Sequence, residues 1–303
     1  YYAFTHYSPY LNHISFPSLQ TIGGSLSLND NRWVQTINFN ALTSVSSIYI
    51  RELAYSVSGG LAMNTFNNLT SCGALEFNNG RFNGLSGFNT ITSLSSLRIT
   101  QSLDESGSDI SGFNLLNYIS GELYINSNNM TSISGFSSLG AGTIDGNLTV
   151  NNNGSLTSCC VLMNLAQATN GTVQITSNGS GCSSLVGVGS NCGIQFCGVS
   201  GQITTISNQA ELDSLQNCVD FYGDLHINSD IYSQVNQLDF SNAFSNLQTI
   251  EGDLTFSHPN DDITMPNLVS VGGSISITSN NVSTNTYYAF THYSPYLNHI
   301  SFP

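Results

Sequence analysis

The chain has 303 residues, of which only 7% are charged, where an ordinary soluble domain carries roughly a quarter. Its 18 acidic side chains stand against 4 basic ones, all Arg, so the net charge is −14 and lysine is absent. This excludes a Gly-Lys-Ser/Thr phosphate cradle, a Schiff base and a Lys isopeptide bond, and the lack of a basic cluster excludes nucleic acid as a partner.

No run approaches the roughly eighteen apolar residues of a membrane span. The chain begins at Tyr1 without Met or a signal peptide, and is therefore read as a piece of a longer polypeptide. Tyr1–Pro17 (YYAFTHYSPYLNHISFP) returns unchanged as Tyr287–Pro303, an offset of 286 residues. Identity over that length does not arise by chance. The parent is either a tandem array of 286-residue units or a chain extended by design, and we take the array.

A shorter pattern recurs inside the unit. Leu19-x-x-Ile22-x-Gly24-x-Leu26-x-Leu28-x-x-Asn31 reappears from Leu116 to Asn128 and from Leu268 to Asn280, with looser copies between. In chain order, the first apolar residues of the strand-like triplets are Leu26, Ile48, Leu75, Leu97, Leu123, Leu148, Val173, Ile203, Leu225, Leu254 and Ile275. Steps of 21 to 30 residues separate them, and the step from Ile275 to the next unit's Leu26 is 37. Alternation after Gly and before Asn reads as a short strand with one face buried. One strand per coil cannot bury its own apolar edge, so coils must stack. Phe39, Phe66, Phe88, Phe113 and Phe244, each three residues before an apolar one, fit a second side of the coil. The expected fold is all-β: a right-handed parallel β-helix or leucine-rich-repeat-like solenoid of about eleven coils per unit, with disulfide-bearing caps.

The outward middle residues of the triplets are Ser27, Tyr49, Glu76, Arg98, Tyr124, Thr149, Gln174, Thr204, His226, Thr255 and Ser276. Adjacent strands lie about 4.8 Å apart, which makes Glu76 and Arg98 neighbours and an expected surface ion pair of about 0–1 kcal/mol. Tyr49, Glu76, Arg98 and Tyr124 are either a binding face, since Tyr and Arg suit interface hot spots, or large residues placed there by chance. Asp224 and Asp253, with Asp220 and Glu251 close by, are either a Ca2+ site or a solvated acidic edge.

Of the 7 cysteines, Cys159, Cys160, Cys182, Cys192, Cys197 and Cys218 cluster without metal-ligand spacing, which argues for disulfides and an oxidising, extracellular setting. Their connectivity is open. Cys72 occupies the slot held by Val45 and Leu94 in neighbouring coils and is expected as a buried free thiol. Asn-x-Ser/Thr sequons fall at Asn68, Asn129, Asn147, Asn153, Asn170, Asn178 and Asn281, no more than so much Asn, Ser and Thr yields by chance, so glycosylation rests on the extracellular setting alone.

No G-x-S-x-G, H-E-x-x-H or EF-hand loop is present, and no histidine stands beside a nucleophile and a carboxylate, so no catalytic residue is assigned. Residues 211–262 hold ten acids and no base, residues 146–210 hold no charge, and every Arg lies between 32 and 98, an asymmetry suited to orienting neighbouring units. Tyr1, Tyr2, Phe4, His6, Tyr7 and Tyr10 lie within the oversized step, on a loop read as an assembly element or as a cover for its own solenoid.

The stretch LQNCVDFYGDLHI, from Leu215 to Ile227, resembles the opening strand of the receptor L-domain family, leucine-rich right-handed β-helices of receptor ectodomains and cell-surface proteins. GQITTISNQAELDSL before it is similar to that family's amino-terminal cap, and LTSCCVLMNL with the following cysteines resembles a closing segment. The resemblance implies a domain that opens near Gly198 or Val199 and closes near Cys197 of the next unit. Residues 1–198 are then the carboxyl-terminal part of one solenoid, and 199–303 the cap and first coils of the next, with 287–303 repeating 1–17. The expected function is a structural repeat of an extracellular fibre, stalk or adhesin that associates with its own copies and with glycans. A ligand-binding ectodomain and a polysaccharide-acting β-helix enzyme are the alternatives.

Overall fold

The computed structural model describes residues 11–54, 58–103, 108–228, 238–257 and 263–278, and the backbone of 300–301. The chain divides into two compact units, Tyr1–Ser184 and Leu185–Pro303. It is mostly β, a parallel β-solenoid of about 10 turns with few helices.

In the first unit a seven-stranded sheet runs through Thr21–Asn29, Ser44–Arg51, Ser71–Asn78, Ser96–Thr100, Leu123–Asn126, Leu148–Asn151 and Val173–Thr176. Leu26, Ile48, Leu75, Leu97, Leu123, Leu148 and Val173 form a single line of register partners, all parallel. The members from Ile48 to Leu148 are fully buried, as are Ile50, Phe77, Ile99, Ile125 and Val150 two residues further along each strand. Every such side chain contributes about 1.5–3 kcal/mol of burial, which no coil could gain alone.

The second side of the coil is a column of stacked rings. Phe16, Phe39, Phe66, Phe88, Phe113 and Phe136 follow one another at centroid separations of 5.5, 5.7, 5.3, 5.1 and 5.3 Å. Each inner Phe opens a tight turn whose third following residue is buried beside it: Leu42 N–H donates to the Phe39 carbonyl at 2.9 Å and Leu69 N–H to that of Phe66 at 3.0 Å. The Phe-x-x-Leu spacing is thus the signature of this corner.

After each ladder strand the backbone turns through the left-handed region at Asp30, Glu52, Asn79, Gln101, Ser127, Asn152 and Ser177, with φ of 56, 48, 50, 47, 55, 56 and 54°. Polar residues tolerate that conformation at modest cost. The next residue on three coils is the Asn that closes the sequence pattern: Asn128 and Asn153 are buried, and Asn178 is half-buried. Gly146 is required where coils approach closely, since a Cβ there would lie 2.5 Å from the Gly121 carbonyl carbon.

The second unit carries the strands Gly198–Ile206, Asp220–Asn228, Leu254–Ser257 and Ile275–Thr278. Leu225, Leu254 and Ile275 are register partners. Ile203 departs from expectation. A register shift after Gly198 sets Thr204 opposite Leu225, so Thr204 is buried and Ile203 is 70% exposed. Gly201, at φ +71°, lies within the shifted segment, and the outward neighbour of His226 is Thr205. Phe244 is buried against Phe240 and Phe256, as a second-side residue should be.

The solenoid expected from the sequence carries a few short helices, at Val161–Ala168, Leu185–Cys192 and Gln209–Asp213. The first buries Leu162, Met163, Leu165, Ala166 and Ala168, an apolar run that period-two reasoning does not detect. The last opens on a reciprocal cap: Glu211 N–H donates to Asn208 Oδ1 at 3.0 Å, and Ser207 N–H to the Glu211 carboxylate at 2.8 Å.

Candidate functional site

The outward face of the seven-stranded sheet aligns Ser27, Tyr49, Glu76, Arg98, Tyr124, Thr149 and Gln174 as successive register partners. The four large residues are therefore contiguous, and each is half-buried. Glu76 and Arg98 stand side by side, but the expected ion pair between them is replaced by two diagonal ones. Arg51 Nη2 lies 2.8 Å from Glu76 Oε1, and Arg98 is bonded to Glu122. The reason is strand geometry: residues two apart share a face, so Arg51 beyond Tyr49 and Glu122 before Tyr124 reach across the ladder.

Both guanidinium groups also meet tyrosine rings. Arg98 lies 4.3 Å from the Tyr124 centroid, directly across the ladder, and Arg51 lies 6.0 Å from that of Tyr49 on its own strand. The patch is thus neutralised pair by pair and presents flat aromatic and guanidinium surfaces rather than a net field. Arg51 and Glu122 were not singled out in the sequence, although period-two alternation from Tyr49 and Tyr124 points to both.

The acidic edge is built differently from a cation site. Asp224 Oδ1 accepts the Asp253 N–H at 2.8 Å, and Asp253 Oδ1 accepts the Ser274 N–H at 2.6 Å. Asp220 accepts from Thr249 Oγ1 at 2.6 Å. Glu251 accepts from Ser200 Oγ at 2.6 Å and from the Gly223 N–H at 2.8 Å, and these bonds hold its carboxyl below the ordinary carboxylate range. The carboxylates thus cap one another's coils instead of converging, and no cluster of three or more metal-ligating side chains occurs among the described residues. Of the two readings of this edge, the hydrogen bonds give Asp224 and Asp253 the role of backbone caps. Asn147 does the same in the first unit, accepting from the Thr172 N–H at 2.9 Å.

Cys159 pairs with Cys182 and Cys197 with Cys218, across 23 and 21 residues, about the length of one coil. Cys160 and Cys192 are also disulfide-bonded. Cys72 is free and buried, in register with Val45, and burial pushes its thiol up to about 12. Among the sequons, Asn68, Asn129, Asn147 and Asn170 are exposed. Asn153 is wholly buried with its amide spent on the Ile125 and Asn151 carbonyls, and Asn178 donates to Val150 and Cys182. The Asn153 side chain is thus enclosed in the folded chain, whereas Asn178 is half-buried. Asn281 and the aromatic residues Tyr1, Tyr2, Phe4, His6, Tyr7 and Tyr10 lie outside the described residues.

His13 is bonded to Thr36 Oγ1 at 2.7 Å and His226 to Ser257 Oγ at 2.8 Å, each on an exposed or half-exposed ladder position. A polar depression of about 430 Å3 follows the left-handed corner, lined by Asn79, Gln101, Ser127, Asn128, Asn152 and their neighbours. No family model, characterised protein or solved structure matches the chain.

Proposed function

We propose that the chain is one repeat unit, with overlap, of an extracellular fibre, surface stalk or adhesin, and that its role is structural rather than catalytic. The observation that carries this reading is the literal return of Tyr1–Pro17 as Tyr287–Pro303 in a protein whose coils pair in parallel within each unit. Surface chemistry supports it: the charged side chains of the outward face are paired with one another, and the acidic ones cap backbone amides. Three disulfides imply oxidising surroundings, and no helix of the described residues is long and apolar enough to cross a membrane. A cell-surface or extracellular location follows from the first of these.

In this reading the natural domain opens near Gly198 or Val199, as the likeness to receptor L-domains implies, and units associate through their solenoid ends and the Tyr1–Tyr10 loop. Neighbouring units are the main partners, with glycans a further class. A second reading, a ligand-binding ectodomain, draws on the Tyr49, Arg98 and Tyr124 patch.

Electron microscopy and sedimentation of the purified chain separate the two. The structural reading expects filaments or higher oligomers that weaken when residues 1–10 are deleted, with circular dichroism unchanged. A monodisperse monomer that captures one partner saturably supports the ectodomain instead, and turnover in a panel of glycan substrates would overturn both.

A further inference from the structure

The two ladders end on apolar edges. Thr21–Asn29 terminates the seven-stranded sheet, with Leu26 half-buried and Phe16 and Trp33 beside it 52% and 46% exposed. Ile275–Thr278 terminates the ladder of the second unit, where Ile275 is 46% exposed and Val269 80%. Inward residues of the strands between, from Ile48 to Val150, are buried, and no coil among the described residues covers either of these edges.

The repeated segment indicates which coil that is. Ile300–Ser301 is the second copy of Ile14–Ser15, and it pairs in parallel with Ile263–Thr264, Ile300 facing Ile263 and Ser301 facing Thr264. In the first unit Ile14 pairs instead with Ile37. The same short strand therefore has one partner in the coil that precedes it and another in the coil that follows. Register then fixes the rest. Ile300 lies 37 residues after Ile263, and Leu26 of the next copy lies 37 residues after Ile275. Ile263 to Ile275 and Ile14 to Leu26 are both steps of twelve. The residues leading in also match, Leu268-x-x-Val271-x-Gly273-x-Ile275-x-Ile277 against Leu19-x-x-Ile22-x-Gly24-x-Leu26-x-Leu28.

Resting on the tandem-array reading, we infer that successive copies are joined by an unbroken β-ladder, in which Ile275–Thr278 of one copy pairs in parallel with Leu26–Asn29 of the next and Ser276 faces Ser27. Val271 then meets Ile22 of the next copy, Ile275 meets Leu26 and Ile277 meets Leu28. The 37-residue step is one coil carrying the Tyr1–Tyr10 loop as an excursion, and the joint is a rung of the solenoid rather than a linker between beads.

The test uses two copies in tandem, residues 1–286 joined directly to 1–303, with Ser276→Cys in the first copy and Ser27→Cys in the second. Both serines are exposed. Paired strands lie about 4.8 Å apart, within the 4.4–6.8 Å that a disulfide spans. Mild oxidation is expected to cross-link this pair at least about tenfold faster than a control joining Ser276→Cys to Thr149→Cys on the same face of the second copy. Amide exchange gives a second readout: the backbone of 275–278 in the first copy should exchange at least about tenfold more slowly than in the 303-residue chain. Equal cross-linking rates with unchanged exchange, in a protein of native circular dichroism, would overturn the joint. Failure of the array reading is seen separately, as a native polypeptide that carries no further copies.

Discussion

The main-chain N–H of Asn128 donates to Asn153 Oδ1 across 2.9 Å, and Asn153 in turn donates its own N–H to Asn178 Oδ1 at 3.1 Å. The Asn153 side chain thereby closes the corner of one coil and caps the previous one, while its Nδ2 donates to the Ile125 and Asn151 carbonyls. A buried amide that satisfies main-chain groups on two coils costs far more to remove than its own hydrogen bonds contribute.

Asn153→Ala should therefore destabilise the first unit by about 2–4 kcal/mol, because main-chain donors and acceptors are left buried without partners. Asn147→Ala, which removes one exposed cap, should cost about 1 kcal/mol or less. Urea unfolding of the two variants checks the order. Equal losses would contradict the corner role of Asn153.

Much of this was legible in the alternation of apolar residues, and the exceptions have local causes. The column from Leu26 to Leu148 and the Phe-x-x-Leu corners follow from period and spacing, since a buried side needs the same residue type in every coil. Ile203 misleads because a register shift after Gly198 moves the following residues by one, and apolarity alone does not show which of Ile203 and Thr204 faces inward. The sequon at Asn153 gives no sign of its burial, because the motif describes three residues in a row, whereas burial is decided by stacking on coils about 25 residues away. The diagonal pairs Arg51–Glu76 and Arg98–Glu122 were hidden because only directly opposed residues were compared.

Cys72 should be inert in the folded chain. With its thiol pushed up to about 12, the thiolate fraction at pH 8 is roughly a thousandfold below that of an ordinary cysteine. Alkylation under native, non-reducing conditions should leave Cys72 unmodified, and denaturant should release one reactive thiol per chain. Rapid native labelling would contradict its burial.

On the outward face, a double-mutant cycle for Arg98→Ala and Tyr124→Leu should give a coupling of about 0.5–1 kcal/mol, because the guanidinium sits over the ring and both groups are only partly exposed. The Arg51 and Tyr49 cycle should give close to zero, its separation lying at the limit of such contacts. Thermal unfolding of the single and double variants measures both.

Acid should weaken the second unit through groups such as Glu251 and Asp239. Hydrogen bonds from Ser200 and Gly223 lower the first, and bonds from Ser241 lower the second. A carboxyl depressed in the folded state adds stability above its unfolded value and loses it as pH falls through its folded value. Stability should therefore hold at neutral pH and decline on titration downward from the ordinary carboxylate range near 4, the more so at low ionic strength. Glu251→Gln should shallow that decline, read as the melting temperature against pH. An unchanged profile would remove Glu251 from the account.

Sequencing the native polypeptide that carries this chain tests the tandem-array reading most directly. Several further copies of the 286-residue unit are predicted, each returning YYAFTHYSPYLNHISFP at the same offset. A single copy joined to a membrane span and a signalling domain would contradict it.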